Sequence, residues 1–465
     1  MEHELAWKRY TDQDVHELEA LSTAYIGFIS ENKTEREITQ AAIKRAEDAG
    51  YLSLKTCIQE GRKLKAGDRV YAEARGKAII LVHLGKEKLE AGFNILGAHI
   101  DSPRLDIKQN PWFESHDLAY LDTHYYGGIK AYQWVTLPLA MHGVVVKKDG
   151  ETVDFNIGEN PLDPVFCITD LLPHLGRRQL EKKGSEVIDG EDLDILVGNR
   201  PLLSSDEDNN KEKEPVRALA LKLIADKFGI SEDDFLSAEI EVVPAGRARE
   251  MGFDRSMILG YGQDDSVCAF PSLEAQLAID TPERSALTIL VDKEEIGSVG
   301  ASGMTSQFFE NTVAEIMNLA GEGGDLALRR ALAASRMLSS DVSAGFDPPY
   351  ASVFEEKNSA FLGRGLVFNK YTGSRGKAGS NDARAEYMAL IRKIMDEAGV
   401  RFQTAELGRV DAGGGGTIAY IPAKYGMDVI DSGISVLSMH SPWEVTSKAD
   451  LYEAYKGYKA FLAYN

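Results

Sequence analysis

Short apolar runs alternate with helical segments along most of the chain, and this alternation limits the folds that the chain can adopt. The apolar runs are KAIILVHLG, FNILGAH, SALTILVDKEE, SRMLSSDVS and ISVLSMHSP. Such runs are typical of strands that are buried on both faces of a sheet. TEREITQAAIKRAEDAG predicts a helix that begins with a capping box of Thr34 and Glu37 and ends at Gly50. The alternation therefore predicts an α/β fold.

The stretch from residue 105 to residue 247 differs in composition from the rest of the chain. It contains the strand-like segment VVVKKDGETVDFNIG and, at 204–215, the polar run SSDEDNNKEKEP, which predicts a solvated loop. We therefore predict that residues 1–104 and 248–465 form one domain. Residues 105–247 would form a second, β-rich domain that is inserted into the first.

The composition excludes several classes of protein. Hydrophobic residues make up 43% of the 465 residues, and no apolar run approaches the roughly 20 residues that span a bilayer. The formal net charge of -21 argues against nucleic acids and anionic membranes as partners, because both are bound through excess Lys and Arg. The N-terminus has no signal-peptide pattern and the three cysteines are widely spaced, so we expect a cytoplasmic protein.

Four predicted strands are each followed by residue types that bind metal ions. These residues are His99, the pair Glu294 and Glu295, Asp341, and His440. In open α/β sheets, ligands bind outside the carboxyl ends of the strands, where residues distant in sequence meet. Taken singly, each residue has an ordinary interpretation, such as a hydrogen-bonded histidine, a solvated strand end or a turn. Their occurrence together favours a metal site.

A fifth segment, GYGQDDSVCAF, places Asp264 and Asp265 before a helical pattern, where they could also serve simply as helix caps. Several carboxylates in one crevice repel one another unless cations neutralise them. Two histidines and three carboxylates suit two zinc ions, with one carboxylate bridging both. Such a centre keeps a net positive charge, under which a bound water loses a proton near neutral pH. Cobalt and manganese are alternative metals.

Five motifs, in this order, resemble those of the aspartyl aminopeptidase family of dinuclear zinc exopeptidases. They are GAHIDSPRLD, GQDDSVCAF, KEEIGS, SSDVSAG and MHSPWEV. The resemblance implies a mixed central sheet flanked by helices, of the zinc exopeptidase type, with an inserted dimerisation domain. It also implies a homododecamer whose substrates are peptides and whose reaction removes the N-terminal residue.

The resemblance also implies roles for individual residues. His99 and Asp341 would bind one zinc ion, Glu295 and His440 would bind the other, and Asp264 would bridge the two. Asp101 would hold the His99 imidazole through its second nitrogen. Glu294 would act as the general base on a hydroxide that bridges the metal ions.

Three further segments match the family less firmly. DLLPHLGR resembles a segment of the inserted domain from which a histidine reaches a neighbouring subunit's active site, so His174 would stabilise the oxyanion there. FNKYTG and AGGGGTIAYIPA resemble substrate-binding segments, which makes Lys370, Gly416 and Thr417 candidates. The alternatives are a surface histidine, a solvated lysine and a flexible turn.

The sequence departs from the family pattern at one place. Eukaryotic members carry additional histidines after the Asp341 ligand, whereas this chain has Ala344 and Asp347 there. The resemblance therefore leaves the preference for acidic N-terminal residues open. Two other functions also remain: a dinuclear amidohydrolase that deacylates small N-acyl compounds, and a catalytically silent shell protein.

Overall fold

The computed structural model of the chain describes residues 4–203 and 213–465. Most of the polar run that predicts a loop, residues 204–212, lies outside the described residues. The chain divides into two units. The first unit contains Met1–Ser102, Ala248–Met439 and Glu444–Asn465, and the second contains Pro103–Arg247 and His440–Trp443.

The helices and strands of the described residues follow one another in chain order. The α-helices are α1 (Asp12–Glu31), α2 (Glu35–Asp48), α3 (Leu54–Gln59), α4 (Arg177–Leu180), α5 (Pro215–Phe228), α6 (Gln263–Ala278), α7 (Phe308–Leu319), α8 (Asp325–Ala334), α9 (Ala385–Glu397), α10 (Tyr420–Ala423) and α11 (Lys448–Ala463). The strands are β1 (Leu52–Ser53), β2 (Arg69–Ala74), β3 (Ala78–His83), β4 (Phe93–His99), β5 (Arg104–Ser115), β6 (Leu118–Tyr126), β7 (Leu139–Val146), β8 (Thr152–Ile157), β9 (Ile195–Gly198), β10 (Ala238–Pro244), β11 (Arg249–Met251), β12 (Met257–Gly260), β13 (Ser285–Val291), β14 (Arg336–Ser340), β15 (Ser343–Ala344), β16 (Leu366–Asn369), β17 (Phe402–Thr404), β18 (Asp428–Gly433), β19 (Ser435–Leu437) and β20 (Glu444–Ser447). Among the helices of these described ranges, none has the length and apolar character needed to cross a membrane.

The first unit contains a nine-stranded mixed sheet in the order β1-β2-β3-β13-β4-β14-β18-β16-β17. Its four middle strands, β13, β4, β14 and β18, are parallel to one another. Of the strands that flank these four, β3 runs antiparallel to β13 and β16 runs antiparallel to β18. The mixed sheet and its helices confirm the predicted α/β class.

Successive residues of the middle strands face two different hydrophobic clusters, as the pleat of a strand requires. In β4, Leu96 and Ala98 belong to one cluster, together with residues of α1, α2, α6, α9 and α11. Phe93 and Ile95 belong to the other, together with residues of α3, α7 and α8. All seven residues of β4 are buried, so both faces of the sheet are covered. The strand that delivers His99 is thus fixed from both sides.

The helix predicted between Thr34 and Gly50 is confirmed as α2, including its start. In α2 the Thr34 side chain accepts a hydrogen bond from the Glu37 N–H at 3.3 Å, and the Glu37 carboxylate accepts one from the Thr34 N–H at 3.2 Å. Both bonds satisfy backbone donors that a helix leaves open at its first turn.

The prediction that four strands of one sheet deliver the candidate ligands is wrong for the fourth strand. The run ISVLSM forms β19, which belongs to a five-stranded sheet of the order β11-β12-β20-β19-β15. The strand next to β14 in the nine-stranded sheet is instead β18, with the sequence DVIDSG. Two aspartates and a glycine interrupt the apolar pattern of β18, so the pattern does not predict this strand.

The second unit contains a six-stranded sheet in the order β8-β7-β10-β5-β6-β9, in which every pairing is antiparallel. The segment VVVKKDGETVDFNIG, predicted to be strand-like, contains the end of β7 and all of β8, and these two strands pair as a hairpin. The exposed side chains of Leu162, Leu175 and Leu180 lie in the connection between β8 and β9.

Gly433 lies in β18 where the main chain of Asp341 comes very close, so a substitution there tests whether this close approach is required. A Cβ atom added there would lie 1.7 Å from the Asp341 carbonyl oxygen, so the backbone itself has to move. We expect Gly433→Ala to lower the free energy of unfolding by about 3 kcal/mol, the upper part of the usual range for overpacking. Gly27→Ala is the control, because nothing lies within 4 Å of its added Cβ in α1. Urea unfolding of both variants checks this; equal stabilities would contradict it.

Candidate metal centre

The register of three parallel strands brings the candidate ligands to one edge of the sheet. His99 lies opposite Val291 of β13, so Glu294 and Glu295 follow just beyond that level. Gly97 lies opposite Ser339 of β14, so His99 and Asp341 each come two residues later in neighbouring strands. The convergence at the carboxyl ends is therefore a property of strand pairing.

The His99 imidazole is buried and points one nitrogen at carboxylates. Its Nδ1 lies 2.9 Å from the Asp101 carbonyl oxygen and 3.4 Å from Asp101 Oδ1. Its Nε2 lies 3.1 Å from Asp264 Oδ1 and 3.9 Å from Asp341 Oδ1. A hydrogen bond at one ring nitrogen fixes the orientation of the other, as in most metal-binding histidines.

Asp101 also orients the segment that follows β13. Its Oδ1 accepts a hydrogen bond from the Glu294 N–H and its Oδ2 accepts one from the Glu295 N–H, both at 3.1 Å. Glu294 and Glu295 lie in a 3₁₀ turn, Glu294–Ile296. The Asp101 carboxylate thus holds two main-chain amides, while its carbonyl oxygen makes the shorter contact with His99.

Asp264 is held by its main chain at the start of α6. The Ser102 hydroxyl donates to the Asp264 carbonyl oxygen at 2.7 Å, and the Asp264 N–H donates to Glu444 Oε2 at 3.0 Å. Asp264 and Asp265 have non-helical backbone angles, and the peptide bond between them is cis. Both side chains are buried.

Three sets of residues in the described ranges have potential ligand atoms that all lie within 4.8 Å of one another. They are His99 with Glu294 and Asp341, His99 with Asp264 and Glu295, and Asp264 with Asp265 and Asp341. Asp264 shares one set with Glu295 and another with Asp341, which is what a bridging carboxylate requires. Glu294 and Asp265, which are not predicted ligands, each belong to one of these sets.

The buried carboxylates of this cluster would be stabilised in their ionised form by a bound cation. Burial raises the pKa of Asp341 well above its usual range, the His99 charge opposes this, and the nearby carboxylates of Glu294, Asp265 and Asp264 raise it further. Burial likewise raises the pKa of Asp265, with His99 lowering it and Asp264 raising it. A divalent ion removes the cost of ionising these groups, because it replaces their lost hydration. Imidazole nitrogen with carboxylate oxygens is a donor set that zinc accepts, so the residues present fit this ion.

Two predicted histidines belong to the second unit. His440 has a left-handed backbone, and its Nδ1 lies 2.8 Å from the Gly128 carbonyl oxygen. His174 is exposed, in the connection between β8 and β9. The metal-binding sets found within residues 4–203 and 213–465 include neither histidine.

The three predicted substrate contacts lie on two loops that meet. The Gly373 N–H donates to the Gly415 carbonyl oxygen at 2.8 Å, which joins the loop after Lys370 to the glycine-rich segment. Lys370 is exposed and lies 3.6 Å from Asp382, and Gly416 is exposed. Thr417 is buried, and its hydroxyl donates to Asp431 at 2.5 Å. Burial raises the pKa of Asp431 to about 7, and the Thr417 hydrogen bond opposes that rise.

The chain is similar to known proteins over nearly its whole length. The family model for the aminopeptidase I zinc metalloproteases, M18, matches residues 28–462. A probable M18 family aminopeptidase 1 from Clostridium acetobutylicum is 58% identical over 461 residues, which cover 99% of this chain and 98% of the relative. The crystal structure of an M18 aminopeptidase from Thermotoga maritima has a TM-score of 0.93 at 43% identity and covers 99% of both chains. The mApe1 dodecamer structure from S. cerevisiae has a TM-score of 0.76 at 20% identity, over 94% of this chain and 95% of that one, which shows a shared fold.

The chain belongs to the M18 family. The resemblance that its five motifs carry is thereby confirmed. As an M18 member, it is a zinc-dependent aminopeptidase, a hydrolase that acts on peptide bonds. The aminopeptidase class also removes the silent shell protein from the alternatives.

Sequence reasoning missed several residues that hold the M18 site together. Ser102 and Glu444 fix the Asp264 main chain, yet both lie inside motifs that were already recognised, HIDSP and MHSPWE. Only their proximity in sequence to predicted ligands could have indicated that Ser102 and Glu444 support the site. Hydrogen bonds from side chains to a distant main chain do not leave a spacing pattern in the sequence.

A substitution of Glu444 tests whether its hydrogen bond with the Asp264 main chain supports metal binding. We expect Glu444→Ala to weaken zinc binding about 10–100-fold, as losses next to metal ligands typically do, because the Asp264 N–H loses its acceptor. Glu453→Ala is the matched control, since Glu453 is a buried carboxylate that accepts the Arg401 N–H at 2.7 Å. Competition titration with a zinc chelator measures both. Equal losses of affinity would show that burial of a carboxylate, rather than support of Asp264, is what matters.

Proposed function

We propose that this M18 aminopeptidase removes single N-terminal residues from peptides with a dinuclear zinc centre. One observation carries the proposal. Asp264 lies in one set of closely placed donor atoms with His99 and Glu295, and in another with Asp341. A carboxylate between two groups of ligands is the expected core of a two-metal site.

The proposed ligands are those carried over from the family motifs. His99 and Asp341 would hold one ion, Glu295 and His440 the other, and Asp264 both. When bound, two zinc ions supply Lewis acidity, which polarises a carbonyl oxygen and makes a water molecule acidic near neutral pH. Cobalt or manganese would suit the same oxygen and nitrogen donors.

Glu294 is the proposed general base. It would take a proton from the attacking water and return it to the departing amine nitrogen, which becomes the new N-terminus of the shortened peptide. Asp101 would be its positioning residue, because the Asp101 carboxylate accepts the Glu294 N–H and its carbonyl oxygen lies against His99. One residue thereby sets the orientation of both the base and a ligand.

Lys370, Gly416 and Thr417 are the proposed substrate contacts. The loops that carry them border a cavity of about 320 Å³, and the charged residues of its lining are three cations, Arg375, Lys377 and Arg409, and two carboxylates, Glu406 and Asp411. These cations would attract an acidic side chain at short range, although the net charge of -21 repels acidic substrates at long range. A preference for acidic N-terminal residues is therefore part of the proposal.

We further propose a cytoplasmic homododecamer. Leu162, Leu175 and Leu180 expose 93%, 69% and 72% of their surface, an apolar area that an interface between subunits would bury. The mApe1 dodecamer of S. cerevisiae, which shares the fold, supports assembly of this kind. In such an assembly His174, which is exposed on the same connection, would reach a neighbouring subunit's site and stabilise the oxyanion.

Substrate tests of the zinc-loaded protein check the proposed reaction. Aminoacyl amides of Asp, Glu, Leu, Met and Lys are compared with their N-acetylated counterparts. We expect cleavage of the free amines alone, with Asp and Glu fastest. Cleavage of the acetylated compounds alone would favour the deacylase.

Glu294→Gln tests the assignment of the base. We expect kcat to fall about 10²–10⁴-fold, the range for loss of a general base, while zinc content and thermal stability stay at wild-type values. Glu283→Gln, which neutralises an exposed carboxylate next to the opposite end of β13, should leave kcat unchanged. Wild-type turnover by the Glu294→Gln protein would exclude the mechanism.

A further inference from the structure

The loop that follows β13 carries Glu294 and Glu295 through an unusual backbone path. Lys293, Gly297, Ser298 and Gly300 all have positive φ, at 72°, 95°, 62° and 133°. Positive φ is costly for a lysine or a serine, so surrounding contacts must hold this path in place.

Asp292 and Ser302 close the loop at its base. The Ser302 hydroxyl donates to Asp292 Oδ2 at 2.6 Å, and the Asp292 N–H donates to the Ser302 carbonyl oxygen at 3.2 Å. Both residues are buried, with 1% and 3% of their surface exposed. Two reciprocal hydrogen bonds, protected from water, therefore join the first and last residues of the segment that carries Glu294.

A second set of contacts stiffens the inside of the loop. The Ser298 N–H donates to the Lys293 carbonyl oxygen at 2.6 Å, and the Ser298 carbonyl oxygen accepts the Thr305 hydroxyl at 2.6 Å. A Cβ atom on Gly303 would lie 2.3 Å from that same carbonyl oxygen, so only glycine allows this approach. The hydrogen bonds to Asp101 hold the main chain of Glu294 and Glu295, whereas the Ser302 hydroxyl holds the other end of the loop against Asp292.

We propose that Asp292 and Ser302 are positioning residues for catalysis, whose hydrogen bonds hold the Glu294 loop at the distance from substrate that proton transfer requires. The inference rests on the proposed function, because it takes Glu294 as the general base. Proton transfer requires hydrogen-bond distances, and a displacement of about 1 Å can cost about 100-fold in rate. Neither residue needs to touch substrate or zinc to have this effect.

Ser302→Ala removes the hydroxyl at one end of the pair. We expect kcat to fall at least tenfold at saturating zinc, while KM stays within twofold of wild type. The backbone amides of residues 293–303 should exchange with deuterium faster in the metal-free variant, which is independent of turnover. Ser302→Thr keeps the hydroxyl and should recover most of the lost kcat. If Ser302→Ala does not fold, Ser302→Cys replaces it, because a thiol is a weaker donor of similar size.

Ser285→Ala is the matched control. Ser285 is buried at the opposite end of β13, where its hydroxyl accepts the Gly85 N–H at 2.9 Å. We expect this variant to lose stability but to keep wild-type kcat and wild-type exchange of residues 293–303. A similar loss of kcat in both variants would overturn the inference.

The remaining outcomes separate this inference from the proposed function. If wild type cleaves aminoacyl amides and Ser302→Ala keeps both its kcat and its exchange rates, only the inference fails. If excess zinc restores kcat, the pair serves metal retention through Glu295, which also overturns a role for Glu294. If wild type cleaves no aminoacyl amide, the proposed function fails first and the inference fails with it.

Discussion

Carboxylates that repel one another are buried together with one imidazole at the edge of the nine-stranded sheet. Asp264, Asp265 and Asp341 lie close enough to share an ion, and burial raises the pKa of Asp265 and of Asp341 well above the usual range. A folded chain keeps such groups ionised only when a cation offsets both the repulsion and the lost hydration. The fold thus places the carboxylates close together, and the positive charge of zinc stabilises their ionised forms.

The scaffold positions these groups by two different means. Parallel pairing fixes the levels of His99 and Asp341, because both extend buried strands whose register cannot slip without exposing a hydrophobic face. Glu294 and Glu295 instead lie on a loop with positive φ angles, which depends on hydrogen bonds to Asp101. The levels of His99 and Asp341 thus follow from strand register, whereas the segment that carries Glu294 and Glu295 is positioned by side-chain hydrogen bonds.

Much of this arrangement could be predicted from the sequence. Apolar runs indicated the α/β class and β4, β13 and β14, because a strand buried on both faces is mostly apolar. The same rule missed β18, where Asp431 is accommodated by a hydrogen bond from Thr417. It also assigned β19 to the wrong sheet, since an apolar run does not reveal which strands it pairs with.

The supporting contacts could not be predicted for a related reason. The Ser302 hydroxyl and the Asp292 carboxylate meet across a turn whose path depends on backbone angles. Glu444 meets the Asp264 main chain from a residue 180 positions away. Short motifs identify side chains that act together in one site. They do not predict these hydrogen bonds, because the bonded groups are brought together only when the chain folds.

The most direct test of the dinuclear centre is anomalous diffraction at the zinc absorption edge from crystals of the zinc-loaded protein. We expect two peaks per subunit, one at bonding distance, about 2.0–2.2 Å, from His99 and Asp341 and one at bonding distance from Glu295, with Asp264 touching both. A single peak, or peaks without Asp264 as a ligand, would contradict the account.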